Sequence, residues 1–117
     1  MTARKQQKHI LFDIDWKGAR KIRKEYGKSQ IIDFFILPPS IKELKKRLIK
    51  RGTDNKKEIN LRLSYAINEM KHYSEYKHIL INQNIHITVK NVIKIIEFYL
   101  LDIENKELLN KKLKKLI

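Results

Sequence analysis

The stretch "IIDFFILPPSIKEL", residues 31–44, constrains the fold more than any other part of the chain. Residues 31–37 are almost continuously apolar, as a strand covered on both faces is. Pro38 and Pro39 then remove two successive backbone donors and bar any extension of that strand. Directly behind them, Ser40-Ile41-Lys42-Glu43 reads as a capping box, and Ile41, Leu44 and Leu48 recur on one face of the helix it opens. A strand must stop and a helix must start within a few residues.

The same alternation runs through the rest of the chain. "HILFDID" is a short apolar run ending in two carboxylates, Asp13 and Asp15, as a parallel strand does when it delivers acids to its C-terminal edge. Trp16 to Tyr26 follows with Trp16, Ala19, Ile22 and Arg23 at helical spacing. "RGTD" breaks the helix that starts at Ser40, and Thr53 or Asp54 is the expected cap of a longer one from about Lys56 to Tyr73. Ile59, Leu63, Ala66, Ile67 and Met70 are its expected buried stripe. "HILIN" is a third short strand, and "NVIKIIEFYLLDI" a further amphipathic helix. Strands alternating with helices predict an α/β protein with a parallel sheet of about three strands and flanking helices. There are no internal repeats. Residues 1–7 are expected to be disordered, and 104–117 to form a basic amphipathic tail.

Gly27-Lys28-Ser29 resembles the end of a phosphate-binding P-loop, G-x-x-x-x-G-K-[ST]. The pattern fails, because the position of its first glycine is Ile22 and the expected flanks are helix then strand, the reverse of the motif. Gly27 reads instead as a helix C-cap with Arg23 and Lys24 in the last turn.

Composition narrows the partners without choosing one. A formal charge of +14 favours anions: nucleotide phosphates, nucleic acid or an anionic membrane surface. The same bias toward Ile, Lys and Asn also arises from an AT-rich genome. With no cysteine, disulfides and thiolate metal sites are excluded, which fits a cytoplasmic protein, and no apolar run reaches the length of a membrane span. His9, His72, His78 and His86 show no ligand-like spacing. Trp16, Phe34 and Phe35 are expected in the core rather than as a base-stacking platform.

Taken together, "LFDIDWKGA", "FFILPPSIKELKKRLIKRGTD", "INLRLSYAINEMKHYSEY" and "ILIN" resemble the C-terminal half of the guanylate kinases, in order and with the expected gaps, over roughly residues 8 to 100. The resemblance implies a partial P-loop nucleoside monophosphate kinase fold over 8–103, with a lid segment at about 47–62. It also implies transfer of phosphate from ATP to GMP, with Mg²⁺ as cofactor. By the same resemblance Arg47, Arg51 and Arg62 are phosphate-contacting lid arginines with a catalytic role, Asp15 and Gly18 belong to the GMP site, Asn82 lies beside the adenine of ATP, and Asp13 stands near Mg²⁺ through water. Each has an ordinary alternative. Arginines are common on a basic surface, acids at a strand end cap the next helix, and Asn is a frequent turn residue.

The departures are as informative. In the family the P-loop strand, the P-loop and most of the GMP-binding subdomain precede the "DID" strand, and the P-loop strand lies between "DID" and "FFIL". No P-loop motif stands before "HILFDID" here. Lys17 replaces the usual Gln, and "INQN" lacks the acids of "VNDD". The expectation is a guanylate kinase-like chain that is inactive alone. The alternatives are half of a split enzyme completed by a separate P-loop chain or by self-association, and a basic protein that binds nucleic acid or a membrane surface.

Overall fold

The structure is a computed structural model that describes residues 9–52 and 55–116. It divides after Ile31 into two compact units. The stretch 1–7, expected to be disordered, and the expected caps Thr53 and Asp54 lie outside the described residues.

The first unit is built on helix α1, Trp16–Tyr26. Asp15 opens it: its backbone is extended, and its Oδ1 accepts the Gly18 N–H at 2.8 Å. Trp16, Ala19, Ile22 and Arg23 form the less exposed face, with Ala19 buried. The Arg20 guanidinium and the Lys17 ammonium sit 4.6 Å and 5.6 Å from the Trp16 ring centre, so the half-buried indole also makes cation–π contacts. The helix ends at Gly27, whose φ of 81° and ψ of 152° fall where side-chain-bearing residues are strained, and whose N–H donates to Arg23 O at 2.9 Å. Lys28–Gln30 make a single 3₁₀ turn. Gly27-Lys28-Ser29 thus follows a helix, the reverse of a P-loop.

One expectation fails in this unit. "HILFDID" forms no strand; residues 9–15 belong to no regular element, and Leu11 is 94% exposed. A strand exists by pairing its backbone, and among the described residues no ladder partner lies beside this run.

The second unit holds the sheet. Strands β1, Phe34–Leu37, and β2, His78–Ile81, pair in parallel with Phe34 opposite His78 and Leu37 opposite Ile81. The described sheet therefore has two strands where the sequence predicts about three. Asp33, the one acid in the apolar run, seats the second strand. Its carboxylate accepts the Lys77 N–H at 2.7 Å and its carbonyl the His78 N–H at 3.3 Å. The Phe34 ring stacks on His78 and the Phe35 ring meets Tyr76 edge-on, so both phenylalanines pack as structural residues.

Helix α2, Ile41–Lys50, starts at Ser40 as the capping box predicts, with Ser40 Oγ accepting the Glu43 N–H at 3.0 Å. Gly52, with φ of 78°, turns the chain behind it. Helix α3, Lys56–Met70, packs against α2 and is capped by Asn55, whose Oδ1 accepts the Glu58 N–H at 2.9 Å. Its stripe of Ile59, Leu63, Ala66 and Met70 is half-buried, but Ile67 is exposed. α3 ends at Met70, short of Tyr73, because the Lys71 and His72 amides turn back to carbonyls three residues away, at Asn68 and Glu69.

The last helix, α4, runs unbroken from Ile85 to Leu116, well beyond "NVIKIIEFYLLDI" in both directions. Asn84 caps it, its Oδ1 accepting the His86 and Ile87 amides at 2.9 Å and 3.4 Å. No helix among the described residues is long and apolar enough to cross a membrane. Core burial is thin. Ala19 and Thr88 are the buried residues of the described chain, and the sheet residues Ile36, Ile79 and Ile81 are 49%, 40% and 60% exposed. Parallel sheets are ordinarily covered on both faces, and this one is not.

Candidate functional site

The carboxyl ends of β1 and β2 are where open parallel sheets hold their ligands, and the polar groups of the second unit gather there. Asn82 follows β2 directly. Its N–H donates to Leu37 O at 2.8 Å, adding one rung to the ladder beyond the strands themselves. Its carbonyl accepts from Arg47 Nη2 at 3.2 Å, which ties α2 to the tip of the sheet. Its side-chain Oδ1 accepts from Thr88 Oγ1 at 2.8 Å, and the same hydroxyl lies 3.1 Å from Asn84 O. With the oxygen engaged by Thr88, the amide Nδ2 is the end of Asn82 left to address a ligand.

Two residues singled out from sequence, Arg47 and Asn82, are thus in direct contact. The cause is helical: Ser40 fixes where α2 begins, and two turns later Arg47 stands over the end of β2. Arg47 Nε also lies 3.5 Å from Glu43 Oε1, a half-exposed pair one turn back along the helix. Arg51 is the residue at the C-cap of α2 and Arg62 lies within α3; both are exposed. The spacing of four that places Arg47 and Arg51 on one face holds, but Arg47 is committed to the sheet.

In the first unit, Asp15 spends one carboxylate oxygen on the Gly18 amide as a helix cap. Gly18 has little room to be anything else, since a Cβ there would come within 3.1 Å of Ile14 Cβ and 3.3 Å of Asp15 Oδ1. Asp13 is exposed and outside any element. The described residues contain no group of three His, Cys, Asp or Glu side chains arranged to hold a metal ion.

Sequence reasoning missed Asn84 and Thr88. Asn84 was legible as a capping residue ahead of an apolar-periodic run. Thr88 was not, because its role depends on the first turn of α4 facing Asn82. Both line an open depression of ≈ 360 Å³ beside β2, together with Ile81, Gln83 and Asn91.

Fold and site together define an α/β protein with a parallel sheet, an arginine-bearing helix pair, and polar groups gathered at the sheet's carboxyl edge. The guanylate kinase family model matches residues 2–99, and the chain belongs to the guanylate kinase family. It is 45% identical over 96 residues to the guanylate kinase of Buchnera aphidicola subsp. Baizongia pistaciae, covering 82% of this chain and 45% of that protein. It is 42% identical over 106 residues to that of Coxiella burnetii, covering 89% and 50%. The crystal structure of guanylate kinase from Anaplasma phagocytophilum superposes with a TM-score of 0.57 at 28% identity, over 72% of this chain and 37% of that one. The chain spans about half the length of the curated relatives it matches.

Proposed function

We propose that this chain supplies the lid and adenine-side half of a guanylate kinase, catalysing ATP + GMP → ADP + GDP only when a segment carrying a P-loop completes it. The observation that carries this reading is the Arg47–Asn82 contact. It brings Arg47, which we read as a lid arginine, and Asn82, which we read as the adenine-side asparagine, to one point at the carboxyl edge of the sheet. The exposed Ile36, Ile79 and Ile81 support the need for completion, because a covering segment would bury them. In the completed protein "HILFDID" becomes a strand, the P-loop strand lies between it and β1, and the sheet gains the members it lacks. The cytoplasm, where ATP and GMP are found, is the compartment we assign.

Within that reading, Arg51 and Arg62 are the cations that meet the transferring phosphoryl group. Charge spreads over its equatorial oxygens in the transition state, and a preorganised guanidinium lowers that charge without reorganising. Asn82 presents its Nδ2 to adenine, held in that orientation by Thr88. Asp15 and Gly18 contribute to the guanine side, with the second carboxylate oxygen of Asp15 available to accept from the base. Mg²⁺, brought by ATP, would supply neutralisation of phosphate charge. It asks a protein for only one or two carboxylates, and exposed Asp13, reaching it through water, fits that role.

The test is GMP-dependent ADP formation by the purified chain, alone and mixed with a separately made guanylate kinase segment carrying the P-loop and GMP subdomain. Activity only in the mixture, lost in Arg51→Ala, is expected. Activity of the chain alone that is lost in Arg51→Ala would mean that phosphate binding has been rebuilt among these residues. A silent mixture, with both pieces folded, would overturn the proposal.

A further inference from the structure

At 1.5 Å per residue the 32 residues of α4 extend about 48 Å, and its two halves differ in kind. In the first half Thr88 is buried and Val92, Ile95, Ile96, Tyr99 and Leu100 are half-buried; from Leu101 to Leu116 every residue is exposed. Leu109, Leu113 and Leu116 recur at one helix face, 57%, 42% and 80% exposed. Leu113 lies about five full turns beyond half-buried Ile95, so the apolar face that packs in the first half continues along the second. Past Leu100 nothing among the described residues covers that face.

Charge selects the occupant. From Leu108 to Leu116 the sequence is "LLNKKLKKL", with four lysines and no acid. A second copy of this segment would set lysines against lysines with no carboxylate between them, which disfavours self-pairing. Nucleic acid would reward the lysines but leave the three leucines in water. An anionic lipid surface satisfies both, taking leucines at the acyl boundary while the lysine ammoniums extend along their aliphatic stems to the headgroup phosphates. We infer that residues 108–116 lie in the plane of an anionic membrane surface and dock the protein there.

The test is flotation of the full chain with vesicles of equal parts phosphatidylglycerol and phosphatidylcholine, against phosphatidylcholine alone, at physiological ionic strength. Flotation separates bound protein from aggregates, which sink. The chain is expected to float with the anionic vesicles only. Each lysine at such a surface contributes about fivefold in partitioning, so Lys111→Gln/Lys112→Gln/Lys114→Gln/Lys115→Gln should lose roughly 600-fold. Leu109→Ser/Leu113→Ser, which keeps every charge, should lose at least about tenfold. Leu101→Ser, exposed but outside the segment, should float like the parent and controls for general stickiness. Circular dichroism without vesicles checks that each variant is as helical as the parent. Absence of flotation, flotation untouched by the leucine changes, or equal loss in Leu101→Ser would each overturn the inference; the second would assign the segment to simple polyanion attraction.

Discussion

Arg47 donates from Nη2 to the carbonyl of Asn82 at 3.2 Å, across 35 residues of sequence, and so pins the arginine-bearing helix α2 to the carboxyl tip of β2. The contact gives Arg47 a different standing from Arg51 and Arg62. A side chain that holds the sheet tip is a positioning group first, whatever it later does for a phosphate. Arg47→Ala should therefore lower stability by about 1 kcal/mol, since the arginine is half-exposed and a hydrogen bond to a charged donor reaches higher values only when buried. Arg51→Ala should leave the urea midpoint unchanged. Equal midpoints for the two variants would remove the distinction.

Arg51 and Arg62 are expected to act on rate. In the completed enzyme, Arg51→Ala and Arg62→Ala should each reduce kcat by about a thousandfold with the fold intact, as loss of a transition-state arginine does. Steady-state kinetics at saturating ATP and GMP measure this. A change confined to KM would assign them to ground-state binding.

Thr88 is buried, and its hydroxyl sits between Asn82 Oδ1 and Asn84 O. Thr88→Val keeps the shape and strands the oxygens, at a cost of about 1–3 kcal/mol. Thr88→Ser should recover most of it. Thermal unfolding followed by circular dichroism ranks the three proteins, and in the completed enzyme Thr88→Val should also raise KM for ATP more than that for GMP.

Both helix caps of the α2–α3 pair are single side chains. Ser40→Ala and Asn55→Ala should each cost about 1 kcal/mol, and the glycine replacements only a few tenths, because glycine leaves the amides open to water. Urea titrations of the four variants would show whether the order holds.

Gly27→Ala tests the reading of the Gly-Lys-Ser triplet. Nothing lies within 4 Å of a Cβ at Gly27, so the whole penalty is backbone strain at φ 81°, about 1–3 kcal/mol. Lys28→Ala should change stability by less than about 0.5 kcal/mol and leave ATP affinity of the completed enzyme unaltered. A large loss of ATP affinity in Lys28→Ala would restore a phosphate-binding role to the triplet.

The sequence by itself determined the punctuation and the family. Pro38, Pro39 and Ser40 set where a strand stops and a helix starts, Gly27 closes α1, and ordered motifs identify guanylate kinase; all of these rest on local stereochemistry or on residue order. Tertiary structure decided what depends on a partner. "HILFDID" has the composition of a strand, yet a strand needs a neighbouring backbone, and the described residues give it none. Asn82 could be read as a site residue, but its orientation is set by Thr88 and Arg47, which approach from two different helices. Local chemistry is written residue by residue; hydrogen bonds between distant segments exist only once the chain has brought them together.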